Sequence, residues 1–169
     1  MIAEPMIDSA TFREACGHFP TGVTVVTAVD GSGTTAAITV NSFTSVSLDP
    51  PQVLFCIGET STSYGIVSNA EHLAIHILGR EQAQLAAQIA VSGRPVAEKL
   101  EGVAWTAGPS GVPVIEEAPA VIVGTISQKI VSGDHLVVVV DVQHMHLTPA
   151  PTAALTFYRG RYAELPHSD

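Results

Sequence analysis

The feature that most limits the fold is a succession of short β-branched runs, each closed by turn-forming residues. Val23 to Val29, Thr34 to Val40, Val53 to Ile57, Leu73 to Leu78, Ala120 to Ile130, Leu136 to Met145 and Leu155 to Tyr162 each predict a strand. Asp30-Gly31-Ser32-Gly33 predicts a hairpin turn, and Asp49-Pro50-Pro51, Gly108-Pro109 and Ser132-Gly133-Asp134 punctuate the rest. Helical signals are few. Asp8 and Ser9 can cap a helix through Cys16, stopped by Gly17, with Phe12 and Phe19 as expected core anchors. A second helix is expected from about Thr62 to Ser68, capped by Ser61 or Thr62. A third runs from about Glu81 to Ala90, with Leu85 and Ile89 one turn apart on one face. Helices do not alternate with strands, so a parallel α/β sheet is not expected. The pattern predicts a mainly β fold, an antiparallel barrel of Greek-key type with a few short helices.

The chain of 169 residues carries no repeat, linker or low-complexity tract, which predicts one domain over 1–169 with its core at about 12–165. Apolar residues make up 46% and charged residues 14%, an excess of core-type over surface-type residues that predicts a further buried face, as at a subunit interface. Seven Lys and Arg against 16 Asp and Glu argue against a phosphate-backbone partner, so no nucleic acid is expected, nor an anionic membrane surface. The densest apolar run, Leu136 to Val140, is too short to cross a bilayer. Glu4 stands where a signal peptide would carry a base, and Cys16 and Cys56 have no metal spacing. A reducing, cytoplasmic setting is expected.

Several motifs fail on physical grounds. Gly31-Ser-Gly33-Thr-Thr-Ala36 has the form of a dinucleotide fingerprint, but that motif needs a following helix and Thr34 to Val40 is a strand pattern. His72 with His76, and His144 with His146, could each share a strand face, yet no carboxylate or thiol completes a set. No metal site is expected. No serine lies in a nucleophile elbow.

Two hydroxyl-rich segments carry more information. Thr39-Val40-Asn41-Ser42-Phe43-Thr44-Ser45-Val46-Ser47 is too polar for a core and too β-branched for a plain loop. Gly58-Glu59-Thr60-Ser61-Thr62-Ser63 leads from an apolar strand into a helix, where hydroxyls and free N–H groups suit a phosphate. Simple helix capping by Ser61 and Thr62 is the other reading.

Four stretches taken together resemble the short-chain flavin reductase family, the reductase components of two-component flavin-dependent monooxygenases. They are Phe19-Pro-Thr-Gly-Val-Thr-Val-Val-Thr27, Thr39 to Pro51, Gly133-Asp-His135 and Phe157-Tyr-Arg-Gly-Arg-Tyr162, and the resemblance runs in order from about Phe12 to Leu165. It implies an FMN-binding split barrel that forms a homodimer, with flavin (FMN or FAD) near the interface. It also implies that Thr39, Val40, Asn41, Ser42 and Ser45 contact the flavin ring and ribityl chain, and that Ser61, Thr62 and Ser63 hold its phosphate. His135 would meet the nicotinamide, and Tyr158, Arg159, Gly160 and Arg161 would help to hold the dinucleotide. Where relatives have Phe-Ala-Gly and Asp-Lys-Phe, this chain has Ile89-Ala90-Val91 and Glu98-Lys99-Leu100, a departure that leaves Lys99 outside the expected phosphate contacts.

The implied activity is transfer of hydride from NADH or NADPH to FMN or FAD, with reduced flavin passing to an oxygenase component. No catalytic acid, base or nucleophile is required. NADH is favoured, because so few basic residues leave little for a 2′-phosphate clamp. A non-catalytic flavin carrier or sensor is the alternative, and His135 and Arg159 argue for the enzyme. An amine oxidase of the pyridoxamine-phosphate oxidase kind shares the barrel, but too few bases are present for its second phosphate.

Overall fold

The computed structural model describes residues 7–149 and 153–165. Its strands are β1 (Thr21–Gly22), β2 (Thr24–Asp30), β3 (Thr35–Val40), β4 (Thr44–Leu48), β5 (Pro51–Gly58), β6 (Ala70–Ile77), β7 (Trp105–Ala107), β8 (Pro113–Ile115), β9 (Ala120–Ser132), β10 (His135–Leu147), β11 (Ala154–Tyr158) and β12 (Arg161–Leu165). Among the described residues four α-helices accompany them, α1 (Ser9–Gly17), α2 (Tyr64–Asn69), α3 (Ala83–Ala90) and α4 (Val96–Lys99), with single 3-10 turns at Arg80–Gln82 and Pro109–Gly111.

Seven strands pair antiparallel in the order β3-β2-β6-β9-β10-β5-β4. The sheet curls on itself, because one apolar cluster draws side chains from strands far apart in that order. Val26 and Ala28 of β2 and Val40 of β3 share it with Val53, Phe55 and Ile57 of β5 and with Leu136, Val138 and Val140 of β10. Ser42 helps to close the gap between β3 and β5: its hydroxyl accepts from the Cys56 amide at 2.9 Å and donates to the Cys56 carbonyl at 3.2 Å. Helix α2 plugs the interior with Val67. Lys129 on β9 donates to the carbonyls of Ser68 and Ala70 and so satisfies the C-terminal end of α2.

Strand β2 is buried on both faces, which explains its unbroken apolar run. Val26 and Ala28 face the barrel interior, while Val25 packs in a second cluster with Ala86 and Ile89 of α3 and with Leu155. A small sheet, β1-β11-β12, joins the barrel where the Leu78 amide donates to Val23 and the Leu155 amide to Leu78. The arm holding β7 and β8 docks through Thr27, whose hydroxyl donates to the Pro113 carbonyl, and through His76.

The Asp30 turn forms as expected. Its carboxylate accepts from the amides of Ser32 and Thr34, and Gly33 takes a φ of 82°, so the fingerprint-like glycines form a hairpin. Three expectations need correction. Phe12 and Phe19 are 60% and 73% exposed: α1, which carries Phe12, lies outside the barrel and buries none of its residues, and Phe19 follows it on the surface. Leu155 to Tyr162 is not one strand but a hairpin, β11 and β12, turning at Arg159 and Gly160 with φ of 48° and 77°. At the start of α2 the N-cap position is Ser63, and no side chain caps it.

His76 is a structural histidine. Its ring is fully buried, with Nδ1 2.9 Å from the Val25 carbonyl and Nε2 accepting from the Ile115 amide at 3.0 Å. This fixes a neutral ring with the proton on Nδ1. Among the described residues no three His, Cys, Asp or Glu side chains gather as a metal-binding group.

Burial pushes the His76 pKa down from 6.5 to about 4. The unfolded chain therefore takes up this proton first as pH falls. Stability should be undiminished by this group above about pH 6.5 and lost progressively toward pH 4, by on the order of 3 kcal/mol. Urea titrations across that range check it, and His76→Gln should flatten the dependence. Gly124 gives a second outcome. A Cβ there would collide with the Asp141 carbonyl and lie 2.7 Å from Val140 Cγ1, beside the irregularity between Val142 and His144. Gly124→Ala should cost about 2 kcal/mol in chemical denaturation.

Candidate functional site

Two cavities share Thr39 and Ala90 in their walls. The first, about 230 Å³, is lined by Gly58, Thr60, Ser61, Thr62, Lys99 and the chain from Ile89 to Gly93, together with Ile38 and Thr39. The second, about 190 Å³, is lined by Val23, Thr39, Val40, Asn41, Ala90, Phe157 and Tyr162. Neither alone reaches the roughly 300 Å³ typical of a ligand pocket; the pair does.

The lining of the first cavity suits an anion. Lys99 is 4% exposed, and its Nζ touches only the Ser63 hydroxyl, at 3.3 Å, among the described residues. No carboxylate pairs with it there, and burial pulls its pKa below the ordinary lysine value. A buried ammonium without a counterion is costly, and a phosphate in the cavity would supply one. The surrounding loop keeps donors in reserve. Among the described residues the amides of Thr60 and Thr62 have no acceptor, nor has the Thr60 hydroxyl a partner. Ser61 Oγ accepts from the Ser63 amide at 3.3 Å, leaving its own proton to donate.

The expected phosphate residues thus divide. Ser61 lines the cavity with a free donor. Thr62 lines it too, but its hydroxyl donates to the Arg94 carbonyl and pins the 91–95 loop. Ser63 is fully buried beneath, donating to the Ala37 carbonyl and accepting from Lys99. Lys99, outside the expected set, is the charged group of the site. Its signal lay in the Glu98-Lys99-Leu100 triplet that departs from the family pattern.

The ring-contact residues divide as well. Thr39, Val40 and Asn41 line the second cavity, with the Thr39 hydroxyl anchoring α3 through the Ala86 carbonyl at 2.8 Å. The Ser42 hydroxyl is committed to Cys56, and Ser45 stands exposed on β4 opposite Val53, lining neither cavity. Phe157 and Tyr162 complete the wall, their rings edge to face at 5.5 Å across the β11–β12 pair. Burial raises the Tyr162 pKa and keeps it neutral. They flank Tyr158 to Arg161, so the expected dinucleotide residues form the hairpin tip beside this cavity rather than its wall. The tip is seated by the Arg159 amide, which donates to the Gly17 carbonyl at 3.0 Å.

His135 opens β10 directly opposite Gly58. Its Nδ1 lies 2.7 Å from Asp134 Oδ1, and this contact lowers the Asp134 pKa. A larger cavity, about 450 Å³, sits at the other end of β10 beside His144 and His146. It offers Glu116 and Glu117 and no lysine or arginine, which suits a phosphate poorly.

Residues 16–166 match the flavin reductase like domain. The chain belongs to that family. It is 40% identical over 134 residues to the stachydrine N-demethylase reductase subunit Stc3 of Rhizobium meliloti, covering 79% of this chain and 57% of that one. It is 37% identical over 161 residues to the NADH:FMN oxidoreductase of Rhodococcus erythropolis, covering 92% and 81%. Among solved structures, the NADH:FAD oxidoreductase SgcE6 of Streptomyces globisporus superposes with a TM-score of 0.87 at 33% identity, over 99% of this chain and 100% of that one. The chain spans about half the length of three curated relatives that it matches at 38–40% identity.

If Lys99 holds a phosphate, the wild type should bind FMN about 10- to 100-fold more tightly than riboflavin, the range for a hydrogen bond to a charged group. Lys99→Met should erase most of that preference by weakening FMN alone. The same substitution should hold or raise the melting temperature of the ligand-free protein, because a buried unpaired ammonium is removed. Fluorescence titrations and thermal melts read both.

Proposed function

We propose that this chain is an NADH-dependent flavin reductase that binds FMN or FAD in the paired cavities and supplies reduced flavin to a separate oxygenase. The observation that carries the reading is the buried Lys99 ammonium, without a carboxylate, facing a cavity edged by unused N–H and O–H donors. Relatives named as NADH:FMN and NADH:FAD oxidoreductases support the chemistry, and one named as the reductase subunit of a demethylase supports a partner oxygenase.

The residues divide the work by their chemistry. Lys99, Ser61 and the amides of Thr60 and Thr62 would hold the phosphate. Thr39 to Asn41, Phe157 and Tyr162 would bound the ring and exclude water, and His135 with the Arg159–Arg161 tip would receive the nicotinamide nucleotide. Bound flavin supplies the two-electron acceptor for hydride from the nicotinamide. The chain's own contribution is to hold the reactants in line and dry, so no side chain has to move a proton.

A homodimer belongs to the same reading. Phe12 on α1 and Phe19 just beyond it are exposed, and Leu48, Val131 and Leu147 stand 93%, 75% and 69% exposed on the strands, apolar residues suited to burial against a second copy.

Steady-state oxidation of NADH and NADPH with riboflavin, FMN and FAD tests the activity. NADH turnover with FMN or FAD is expected. Flavin binding without NADH or NADPH oxidation would leave a carrier and overturn the reading. Light scattering should give about twice the 17.6 kDa chain mass.

A further inference from the structure

Asp134 has no part in the functions assigned above, yet it makes the one polar contact to the His135 ring among the described residues. The carboxylate Oδ1 lies 2.7 Å from Nδ1, and a carboxylate can only accept, so the neutral ring carries its proton on Nδ1. Nε2 is then a bare acceptor. It lies over Gly58, 3.4 Å from where a Cβ on that residue would stand, and Gly58 lines the cavity that holds Lys99. The backbone fixes the same corner: His135 pairs with Gly58, and the Glu59 amide donates to the Asp134 carbonyl at 2.9 Å. Nε2 has no partner among the described residues.

From this geometry we infer that Asp134 is a positioning residue that sets the His135 tautomer, so that Nε2 accepts a hydrogen bond from the carboxamide N–H of the nicotinamide. The inference rests on the reductase reading of the site. It adds a specific chemical demand: the pyridine ring must bear a donor at the amide position. A nucleotide whose ring carries a methyl ketone there keeps the carbonyl but loses the donor. Asparagine at 134 keeps an acceptor oxygen in reach of Nδ1 and loses only the charge.

The test compares NAD⁺ with oxidised 3-acetylpyridine adenine dinucleotide as dead-end competitors of NADH, which keeps their different reduction potentials out of the comparison. The wild type should bind NAD⁺ about tenfold more tightly than the acetyl compound, the scale of one hydrogen bond. Asp134→Ala should bring NAD⁺ to the level of the acetyl compound and leave the latter and FMN unchanged. Asp134→Asn should restore the difference. Nitrogen-15 shifts of the His135 ring in the wild-type protein should report the Nδ1–H form. Equal inhibition of the wild type by the two competitors, equal weakening of both in Asp134→Ala, or an Nε2–H ring would each overturn the inference while leaving the reductase intact. A protein that oxidises no pyridine nucleotide would sink the reductase reading itself, whereas the ring tautomer is measured independently of activity.

Discussion

The pairing of β9 with β10 runs from His135 opposite Ser132 to Leu147 opposite Ala120, and the rest of the barrel hangs from it. Strand β5 adds to one side of the ribbon and β6 to the other, so both halves of the curled sheet take their register from this hairpin. A slip of one residue would turn Leu136, Val138 and Val140 out of the core and bring His135, Val137, Val139 and Asp141 to the inner face. Gly124 belongs to this constraint, since the register shifts between Val142 and His144 press the β10 backbone against its Cα. The same register puts His135 against Gly58, which makes the position of the imidazole a consequence of sheet pairing rather than of loop conformation.

Much of this was legible in the residues. Strands β2, β3, β5, β6, β9 and β10 read cleanly because each is a β-branched run closed by turn-forming residues, whereas the short β1, β4, β7 and β8 have no such run and went unread. The hydroxyl-rich loop after β5 suggests an anion site because its donors outnumber what a short helix can use. Three features resisted. Phe12 and Phe19 look like core residues, but periodicity cannot tell which apolar residues cover an interior and which await another surface. Arg159 hides a hairpin because a non-glycine residue with positive φ leaves no mark in an apolar pattern. Lys99 sits on a four-residue helix with no periodicity of its own, and its role comes from burial beside Ser63, a contact across 36 positions of chain.

The site is also divided by rigidity. Its strand residues, Thr39 to Asn41, are held by the sheet and by the Thr39 bond to α3. Its hairpin tip at Arg159 and Gly160 rests on one bond to the end of α1. A tightly walled pocket beside a lightly seated flap suits a ligand pair in which one member stays while the other comes and goes.

The sequence contains only two lysines, and both are attached to the ends of α2. Lys99 meets Ser63 at its start, and Lys129 holds the carbonyls of Ser68 and Ala70 at its finish. A helix of six residues has little intrinsic tendency to persist, so the loop that precedes it would ordinarily have to be ordered by whatever binds there. With both ends tethered and Val67 sunk in the barrel, that ordering is already done before a ligand arrives. A phosphate held at that loop would therefore owe part of its affinity to entropy spent during folding, far from any atom it touches.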